Sequence, residues 1–238
     1  MRYPGGKGRL WRDIVSLMPP HDIYIETHLG GGAILRNKLP AQTSIGVDIN
    51  PQVIRTARAW NVPGLMLRNV DALEFLSGYT FCGQELVYAD PPYVAATKKN
   101  RRYYSHEYTD EDHRRLLDAL LKLDCRVMIS GYPSALYEKT LGGWEVRELV
   151  NLSHAGPRRE RIWANFEFSH DLHDYGAIGG NFRERERIRR KTSRWVLKLA
   201  GLPDLERRAL IAALVQTSDI EPAFAERLLA DRRRGAVE

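Results

Sequence analysis

The sequence predicts an α/β fold with a mainly parallel sheet that ends in an antiparallel hairpin, followed by a C-terminal helical extension. Short apolar segments of strand length alternate with helical segments, which is typical of βαβ units. Two later strand-like segments are separated by a short Ala-Gly-Pro turn, which predicts a hairpin at the sheet edge. We therefore expect one domain over residues 1–166, a polar, glycine-rich linker over 167–182, and a basic helical extension over 183–238.

The expected elements follow from the spacing of apolar residues and from cap signals. Short apolar strands are predicted over residues 22–29, 43–50, 64–71, 86–90 and 125–132. The glycine-rich turn after the first strand is expected to open a helix, and another helix begins with Pro51 near its first turn. A further helix covers residues 109–123, with Thr109 as N-cap and Asp112 at the capping-box position. The hairpin strands are expected over residues 144–154 and 158–166.

Composition excludes several classes of protein. The chain has 238 residues and 43% hydrophobic content, enough to bury a core. No apolar run approaches the about 20 residues that span a bilayer, and the N-terminus has no apolar signal segment. A cytoplasmic location without a membrane partner is therefore expected. Cys82 and Cys125 are far apart, which favours a reduced compartment over a disulfide framework. The HDLHD stretch at 170–174 lacks a clear third ligand, so no metal is expected.

The positive charge is concentrated in one segment. The formal net charge is +6, and residues 183–198 alone contain eight Lys or Arg against two Glu. A local cationic segment indicates a polyanionic partner, with a solvated helix face as the alternative. Arg187, Arg189 and Arg190 are the candidate phosphate contacts in this segment.

The first glycine-rich stretch indicates a nucleotide-like cofactor. Gly30 and Gly32 follow the first strand, where backbone comes close to a ligand at the carboxyl edge of a parallel sheet. Asp48 ends the second strand, where a carboxylate can accept both hydroxyls of a ribose. Asp71 follows the third strand and either contacts an adenine amino group or caps the next helix. Glu26 meets either an amino acid end of the cofactor or a neighbouring backbone amide.

The stretch Asp90-Pro91-Pro92-Tyr93 points to chemistry on an adenine amino group. That nitrogen is a poor nucleophile because its lone pair is delocalised into the ring, so a catalyst must supply in-plane hydrogen-bond acceptors. Asp90 offers a carboxylate and Pro91 a carbonyl, while Pro92 stiffens the turn. Tyr93 offers a face on which an extruded base could stack. A carboxylate also stabilises a developing ammonium.

With YPGGK at residues 3–7, the glycine turn, Asp48 and DPPY in this order, the chain resembles the Dam-like adenine-specific DNA methyltransferases. The resemblance covers roughly residues 1–166 and implies a Rossmann-like methyltransferase fold and S-adenosylmethionine as cofactor. It further implies that Tyr3 and Lys7 help to hold the cofactor, with Asp48 on its ribose. Asp90 would lie near both its methionine end and the target amine.

The chain departs from the family pattern in two places. The first motif usually reads EPFAGGGA, whereas here it reads ETHLGGGA, so Thr27 and His28 replace a proline and a phenylalanine. Packing against the cofactor is expected to differ. In addition, only 41 residues lie between Asp48 and Asp90, which leaves no room for the helical target-recognition insertion common in this family.

The basic and aromatic segment after DPPY is the candidate for holding the substrate. Cations there can neutralise phosphates, and rings can stack on or wedge beside bases near a flipped nucleotide. The candidate residues are Lys98, Lys99, Arg101, Arg102, Tyr104 and His106. The expected partner is duplex DNA with a flipped adenine. The alternatives are methylation of adenine in RNA or of the cytosine amino group, and a nucleic-acid-binding module on an inactive methyltransferase scaffold.

Overall fold

A computed structural model describes residues 6–92, 107–153 and 156–217 of the chain, with the side chains at 151–153, 156–158 and 217 left aside. Its centre is a seven-stranded sheet of strand order β3-β2-β1-β4-β5-β7-β6. The strands are β1 Ile23–Glu26, β2 Thr43–Val47, β3 Leu65–Arg68, β4 Glu85–Ala89, β5 Arg126–Gly131, β6 Glu145–Ser153 and β7 Gly156–Ala164.

The first five strands are parallel, and the last two form an antiparallel hairpin at one edge. β1 pairs in parallel with both β2 and β4, and β5 joins β4 in the same direction. β7 pairs antiparallel with β5, and β6 pairs antiparallel with β7. The predicted fold class is therefore confirmed: this is a Rossmann-like α/β sheet with a terminal hairpin.

Helices cover the sheet and extend the chain at its C-terminal side. They are α1 Trp11–Val15, α2 Pro51–Ala57, α3 Ala72–Gly78, α4 Asp110–Leu121, α5 Ala135–Thr140, α6 Phe182–Ala200 and α7 Asp204–Thr217. Asn50 caps α2 ahead of Pro51, and the predicted capping box of Thr109 and Asp112 at the start of α4 is confirmed. Of the helices in the described part of the chain, none is long and apolar enough to cross a membrane.

The core lies on both faces of the sheet because neighbouring residues of a buried strand point in opposite directions. On one face Tyr24, Leu86 and Met128 pack in a cluster that includes Ile14 and Val53 from the helices. On the other face Ile25, Val87 and Ile129 pack in a cluster with α4 residues such as Leu116. The central strands are thus buried on both sides, which holds their carboxyl ends in fixed relative positions.

The helix expected after the glycines does not form. Residues 33–37 make a series of turns instead. The Leu35 backbone N–H donates to Glu26 Oε2 at 3.0 Å rather than to a carbonyl one helical turn earlier. A buried carboxyl oxygen is costly to leave without a donor, so Glu26 competes with the helical hydrogen-bond ladder for this amide.

The chain divides into two compact units, Met1–Ile178 and Gly179–Glu238. This division falls inside the predicted linker, and most of that segment packs on the first unit. Leu172 and Ala177 are buried, and the Leu39 N–H donates to Asp174 Oδ2 at 2.9 Å. His173 of the HDLHD stretch stacks on His21, with ring centroids 3.8 Å apart. Buried apolar contacts therefore continue past residue 166.

Gly32 is a position at which the backbone demands glycine. Its φ is +60°, and a Cβ built there would lie 2.3 Å from two ring carbons of Trp60. Gly32→Ala should lower the free energy of unfolding by about 2–4 kcal/mol, through left-handed strain and overpacking against the indole. Urea unfolding followed by circular dichroism measures this change.

Gly78→Ala is the matched control, because nothing lies within 4 Å of the position its Cβ would take. That variant should keep the parental stability or gain up to about 1 kcal/mol at the end of α3. Equal stabilities for the two variants would contradict the proposed role of Gly32.

Candidate active site

A pocket opens at the carboxyl ends of the parallel strands. β1 lies between β2 and β4 in the sheet, so the strand order reverses there, and ligands of open α/β sheets bind at such a point. The lining comes from the ends of several strands and from the glycine turn. It includes Lys7, Glu26, His28, Gly30, Gly32, Asp48, Asp71, Asp90, Pro91 and Tyr108.

The glycine turn is tied to the end of β2 through Asp48. Gly30 and Gly32 have φ of 48° and 60°, a left-handed conformation suited to glycine. The Gly30 N–H donates to Asp48 Oδ2 at 2.8 Å, and the Asn50 N–H donates to Asp48 Oδ1 at the same distance. Two backbone donors therefore fix the carboxylate at the pocket wall. The carboxylate also lines the pocket, where it can face a ligand hydroxyl.

Asp71 follows β3 and caps the next helix. Its Oδ1 accepts from the Leu73 N–H at 2.8 Å, so it is the N-cap of α3. This confirms the capping alternative that the sequence offered. The side chain also lines the pocket, and contact with a cofactor stays a prediction.

Asp90, at the end of β4, shares a lysine with a second acid. Lys7 Nζ lies 2.6 Å from Asp90 Oδ1 and 2.7 Å from Glu160 Oε1. The Lys7 side chain is only 4% exposed, and that of Glu160, on β7, is fully buried. One ammonium thus joins the N-terminal segment to β4 and β7. The predicted position of Lys7 at this site agrees with the geometry, whereas Glu160 was not predicted.

A hydroxyl pair orients the same carboxylate from the other side. Ser130 Oγ donates to Asp90 Oδ1 at 2.7 Å, and the Tyr88 hydroxyl donates to Ser130 Oγ at 3.0 Å. In the described part of the chain both polar contacts of the Asp90 carboxylate therefore fall on Oδ1. Oδ2 carries no such contact there, while Asp90 lines the pocket together with Pro91. The arrangement can present one carboxylate oxygen as an acceptor to a ligand.

Glu26 is buried at the base of the pocket. Its Oε2 accepts from the Tyr24 hydroxyl and from the Leu35 N–H, both at 3.0 Å. Burial raises the pKa of Glu26 to about 8; the Tyr24 hydrogen bond opposes this shift and the nearby negative charge of Asp90 adds to it. The backbone amide expected as one alternative for Glu26 is thus present. The carboxyl group is largely protonated at neutral pH and ionises when a cation stabilises it.

The two residues that depart from the family pattern form a polar chain beside the pocket. His28 Nδ1 lies 2.9 Å from Thr27 Oγ1, and His28 Nε2 lies 3.0 Å from the Tyr108 hydroxyl. Burial lowers the pKa of His28 to about 3, with the nearby His113 adding to the shift, so the imidazole is neutral. Through this contact His28 holds Tyr108, which lines the pocket, against the glycine turn.

Several predicted site residues lie outside the described residues. They are Tyr3, Tyr93, Lys98, Lys99, Arg101, Arg102, Tyr104 and His106. Within the described ranges, no group of three or more His, Cys, Asp or Glu side chains is placed to hold a metal ion.

Sequence reasoning missed Tyr88, Ser130 and Glu160. Tyr88 and Ser130 lie inside apolar strands and belong to no recognisable sequence motif. Glu160 offered one signal, because it alternates with the buried residues Ile162 and Ala164 and so falls on an inward-facing stripe of β7. An acid in such a stripe predicts a buried partner.

In the second unit, α6 presents the predicted cationic surface. Arg187, Arg189 and Arg190 have side chains that are 63%, 71% and 80% exposed. Each pairs with a glutamate of the same helix, at distances of 2.9 to 3.7 Å, and exposed pairs of this kind are weak. A shallow groove on this helix is lined by Phe182, Arg183, Glu186, Arg187, Arg190, Lys191 and Arg194.

Comparison with solved structures finds similar chains at low identity. Magnesium protoporphyrin IX methyltransferase (ChlM) from Synechocystis PCC 6803, with bound SAM, is 16% identical, with a TM-score of 0.42 and coverage of 66% of this chain and 75% of that chain. An rRNA methylase from Streptococcus thermophilus is 12% identical, with a TM-score of 0.41 and coverage of 69% and 97%. TrmN from Thermus thermophilus is 14% identical, with a TM-score of 0.46 and coverage of 66% and 47%.

The sequence comparisons match only part of the chain. No curated protein matches the chain. The sequence model of the family described as D12 class N6 adenine-specific DNA methyltransferase matches residues 3–76, which include Lys7, the glycine turn and Asp48 but not Asp90. The predicted resemblance to the Dam-like adenine methyltransferases is confirmed over this part of the chain.

Proposed function

We propose that this protein transfers a methyl group from S-adenosylmethionine to the exocyclic N6 amino group of adenine in DNA. The observation that carries the proposal is the hydrogen bonding of the two carboxylate oxygens of Asp90. Lys7 and Ser130 hold its Oδ1, and within the described residues Oδ2 is left as an acceptor at a pocket with a glycine turn. The family match over residues 3–76 supports adenine and DNA as the substrate.

The residues of the pocket fit a nucleoside with a cationic tail. Among the described residues, its lining has four carboxyl groups, those of Glu26, Asp48, Asp71 and Asp90, and one ammonium, that of Lys7. Asp48, fixed by two backbone amides, would accept the ribose hydroxyls, and Asp71 would face the adenine ring. Glu26 would accept the ammonium of the methionine portion. In this assignment Lys7 acts by holding Asp90 more than by contacting the cofactor directly.

When bound, S-adenosylmethionine would supply an electrophilic methyl group with its sulfur as the leaving group, and the adenine amino nitrogen would supply the lone pair for the new bond. Asp90 Oδ2 and the Pro91 carbonyl would accept the two amino hydrogens and so favour the pyramidal, nucleophilic nitrogen. As the nitrogen becomes positively charged, the carboxylate stabilises it electrostatically. Asp90 Oδ2 then takes the proton that the methylated nitrogen releases.

Substitution of Asp90 tests this chemistry. Asp90→Asn keeps the size of the side chain but removes its charge, so the methyl-transfer rate should fall by at least about 100-fold. The dissociation constant for S-adenosylmethionine should change by less than about three-fold, because the lost interaction acts mainly in the transition state. Rates come from labelled methyl transfer to duplex DNA, with the modified base identified by mass spectrometry.

Asp118→Asn, on the exposed side of α4, is the matched control and should keep the parental rate. Near-parental transfer by Asp90→Asn would remove Asp90 from the mechanism. Offering single-stranded DNA and RNA in the same assay separates the alternatives. Methylated cytosine, or methylation of RNA alone, would contradict adenine in DNA as the substrate. Cofactor binding without any transfer would indicate an inactive scaffold.

The raised pKa of Glu26 predicts a pH dependence of cofactor affinity. In the free protein this pKa is about 8, and a bound cation lowers it, so binding releases a proton below pH 8. Affinity should therefore rise from about pH 6 to about pH 8, by at most about ten-fold per pH unit, and gain nothing further from Glu26 above pH 8. Calorimetry in buffers of different ionisation enthalpy measures the proton released.

Glu26→Gln is the control for this measurement. The amino group of the ligand titrates equally in both proteins, so the difference between them isolates Glu26. The variant should bind more weakly at pH 8 and release fewer protons at pH 7. Identical proton release in the two proteins would show that Glu26 does not meet the cation.

The cationic surface of α6 is proposed to contact phosphates without reading bases. Replacing Arg187, Arg189 and Arg190 by glutamine should weaken binding about equally for all DNA sequences. The slope of log affinity against log salt concentration should become shallower by roughly one unit per lost contact. Fluorescence anisotropy with labelled duplexes at several salt concentrations gives both quantities.

Arg208→Gln provides a comparison on α7, where the arginine is 74% exposed and pairs with Asp204. This variant should leave the salt slope unchanged. If the triple variant instead keeps its slope but changes its melting temperature or its mass in solution, the arginines serve packing or association and not DNA binding.

A further inference from the structure

Glu160 is a fully buried carboxylate in contact with the proposed catalytic machinery, although it lies two strands away from Asp90. It belongs to the edge hairpin, outside every motif of the sequence. Burial of a carboxylate is costly unless a partner neutralises it. That partner is Lys7, whose Nζ lies 2.7 Å from Glu160 Oε1.

The register of the sheet explains how three strands meet at this ammonium. Ala89 pairs with Ile129, so Asp90 and Ser130 follow side by side at the ends of β4 and β5. Gly131 pairs with Arg161 in the antiparallel direction, so Glu160 lies just beyond the end of β5. Lys7 spans the resulting gap between Glu160 and Asp90.

Glu160 and Asp90 compete for the same ammonium. One ammonium, 4% exposed, is divided between two carboxylates at nearly equal distances, 2.6 and 2.7 Å. If Lys7 served Asp90 alone, it would neutralise that carboxylate and weaken it as a hydrogen-bond acceptor. Sharing with Glu160 leaves net negative charge at Asp90 while its Oδ1 stays held. At short distance and in a buried setting such a charge has a large effect.

We propose that Glu160 is a positioning residue for methyl transfer, which draws Lys7 toward β7 and so keeps Asp90 both oriented and electron-rich. The inference rests on the proposed function of Asp90 and extends it to a residue outside the pocket lining. Glu160 lies outside the described lining of the pocket, and its proposed effect on Asp90 is transmitted by the ammonium of Lys7.

Glu160→Gln tests the charge alone, because the amide keeps the size of the side chain and still offers an oxygen to Lys7. The single-turnover rate of methyl transfer at saturating cofactor should fall about ten-fold. The dissociation constant for S-adenosylmethionine should stay within about two-fold, because the pocket lining is unchanged. Glu148→Gln is the matched control, since Glu148 lies on the same hairpin, 36% exposed, and pairs with Arg159. An unchanged rate in Glu160→Gln, or an equal loss in Glu148→Gln, would overturn the proposal.

An unfolding experiment tests the shared ammonium without reference to activity. Lys7→Met in the parental protein removes an ammonium from two carboxylates, whereas in Glu160→Gln it removes that ammonium from one. The effect of Lys7→Met on the unfolding constant in urea should therefore be at least about ten-fold smaller in the Glu160→Gln background. Equal effects in the two backgrounds would show that Glu160 is not coupled to Lys7 and would overturn the inference.

The two experiments separate the inference from the proposed function. If the parental protein methylates no nucleic acid, the proposed function is wrong, while the unfolding cycle still decides whether Lys7 is shared. If the protein methylates DNA but the unfolding experiment shows no coupling between Lys7 and Glu160, the proposed function is kept and the proposed role of Glu160 is wrong. Should Glu160→Gln not fold by itself, Glu160→Asp takes its place, because it keeps the charge but shortens the reach to Lys7; its rate should fall while its affinity for S-adenosylmethionine stays within about two-fold. Failure of both to fold would assign Glu160 to packing alone.

Discussion

The ammonium of Lys7, enclosed between the carboxylates of Asp90 and Glu160, is the interaction on which the rest of the site depends. It connects the segment before α1 to strands that are distant in sequence, and it does so where water is largely excluded. Buried charges of this kind contribute little net stability but are costly to leave unpaired. The three side chains are therefore held in one arrangement, in which Lys7 and Glu160 fix the orientation of Asp90.

The same balance of burial and charge extends to the base of the pocket. Burial raises the pKa of Glu26 to about 8 and lowers that of Lys38 to about 7, where the attraction of Asp174 and Glu26 partly opposes the shift. Lys38 Nζ donates to the Leu39 carbonyl at 2.8 Å and lies 4.5 Å from the centre of the Tyr24 ring. Lys38 is thus coupled electrostatically to Glu26, which lines the pocket, and the pKa values of both groups lie near neutrality.

The two units of the chain differ in what stabilises them. The first has a core on both faces of its sheet, whereas α6 of the second has no buried residue. That helix relies on its cap, where Asn181 Oδ1 accepts from the Glu184 N–H at 3.0 Å, and on ion pairs along its own surface. Such a surface suits electrostatic contact with a polyanion, since long-range charge requires no preformed pocket.

Local sequence patterns alone determined the order of the strands, the capping box at Thr109 and the edge hairpin, because periodicity and caps depend on near neighbours along the chain. The clustering of Asp48 and Asp90 was also predictable, since the carboxyl ends of parallel strands meet at one edge. The turns at residues 33–37 were not predictable, because the Leu35 N–H donates to the Glu26 side chain on the preceding strand. Only the tertiary structure decided that Lys7 would be shared with Glu160 and that Ser130 would orient Asp90. Those contacts join residues 83 and 40 positions from Asp90 along the chain, and the register that brings them together is set by the packed sheet.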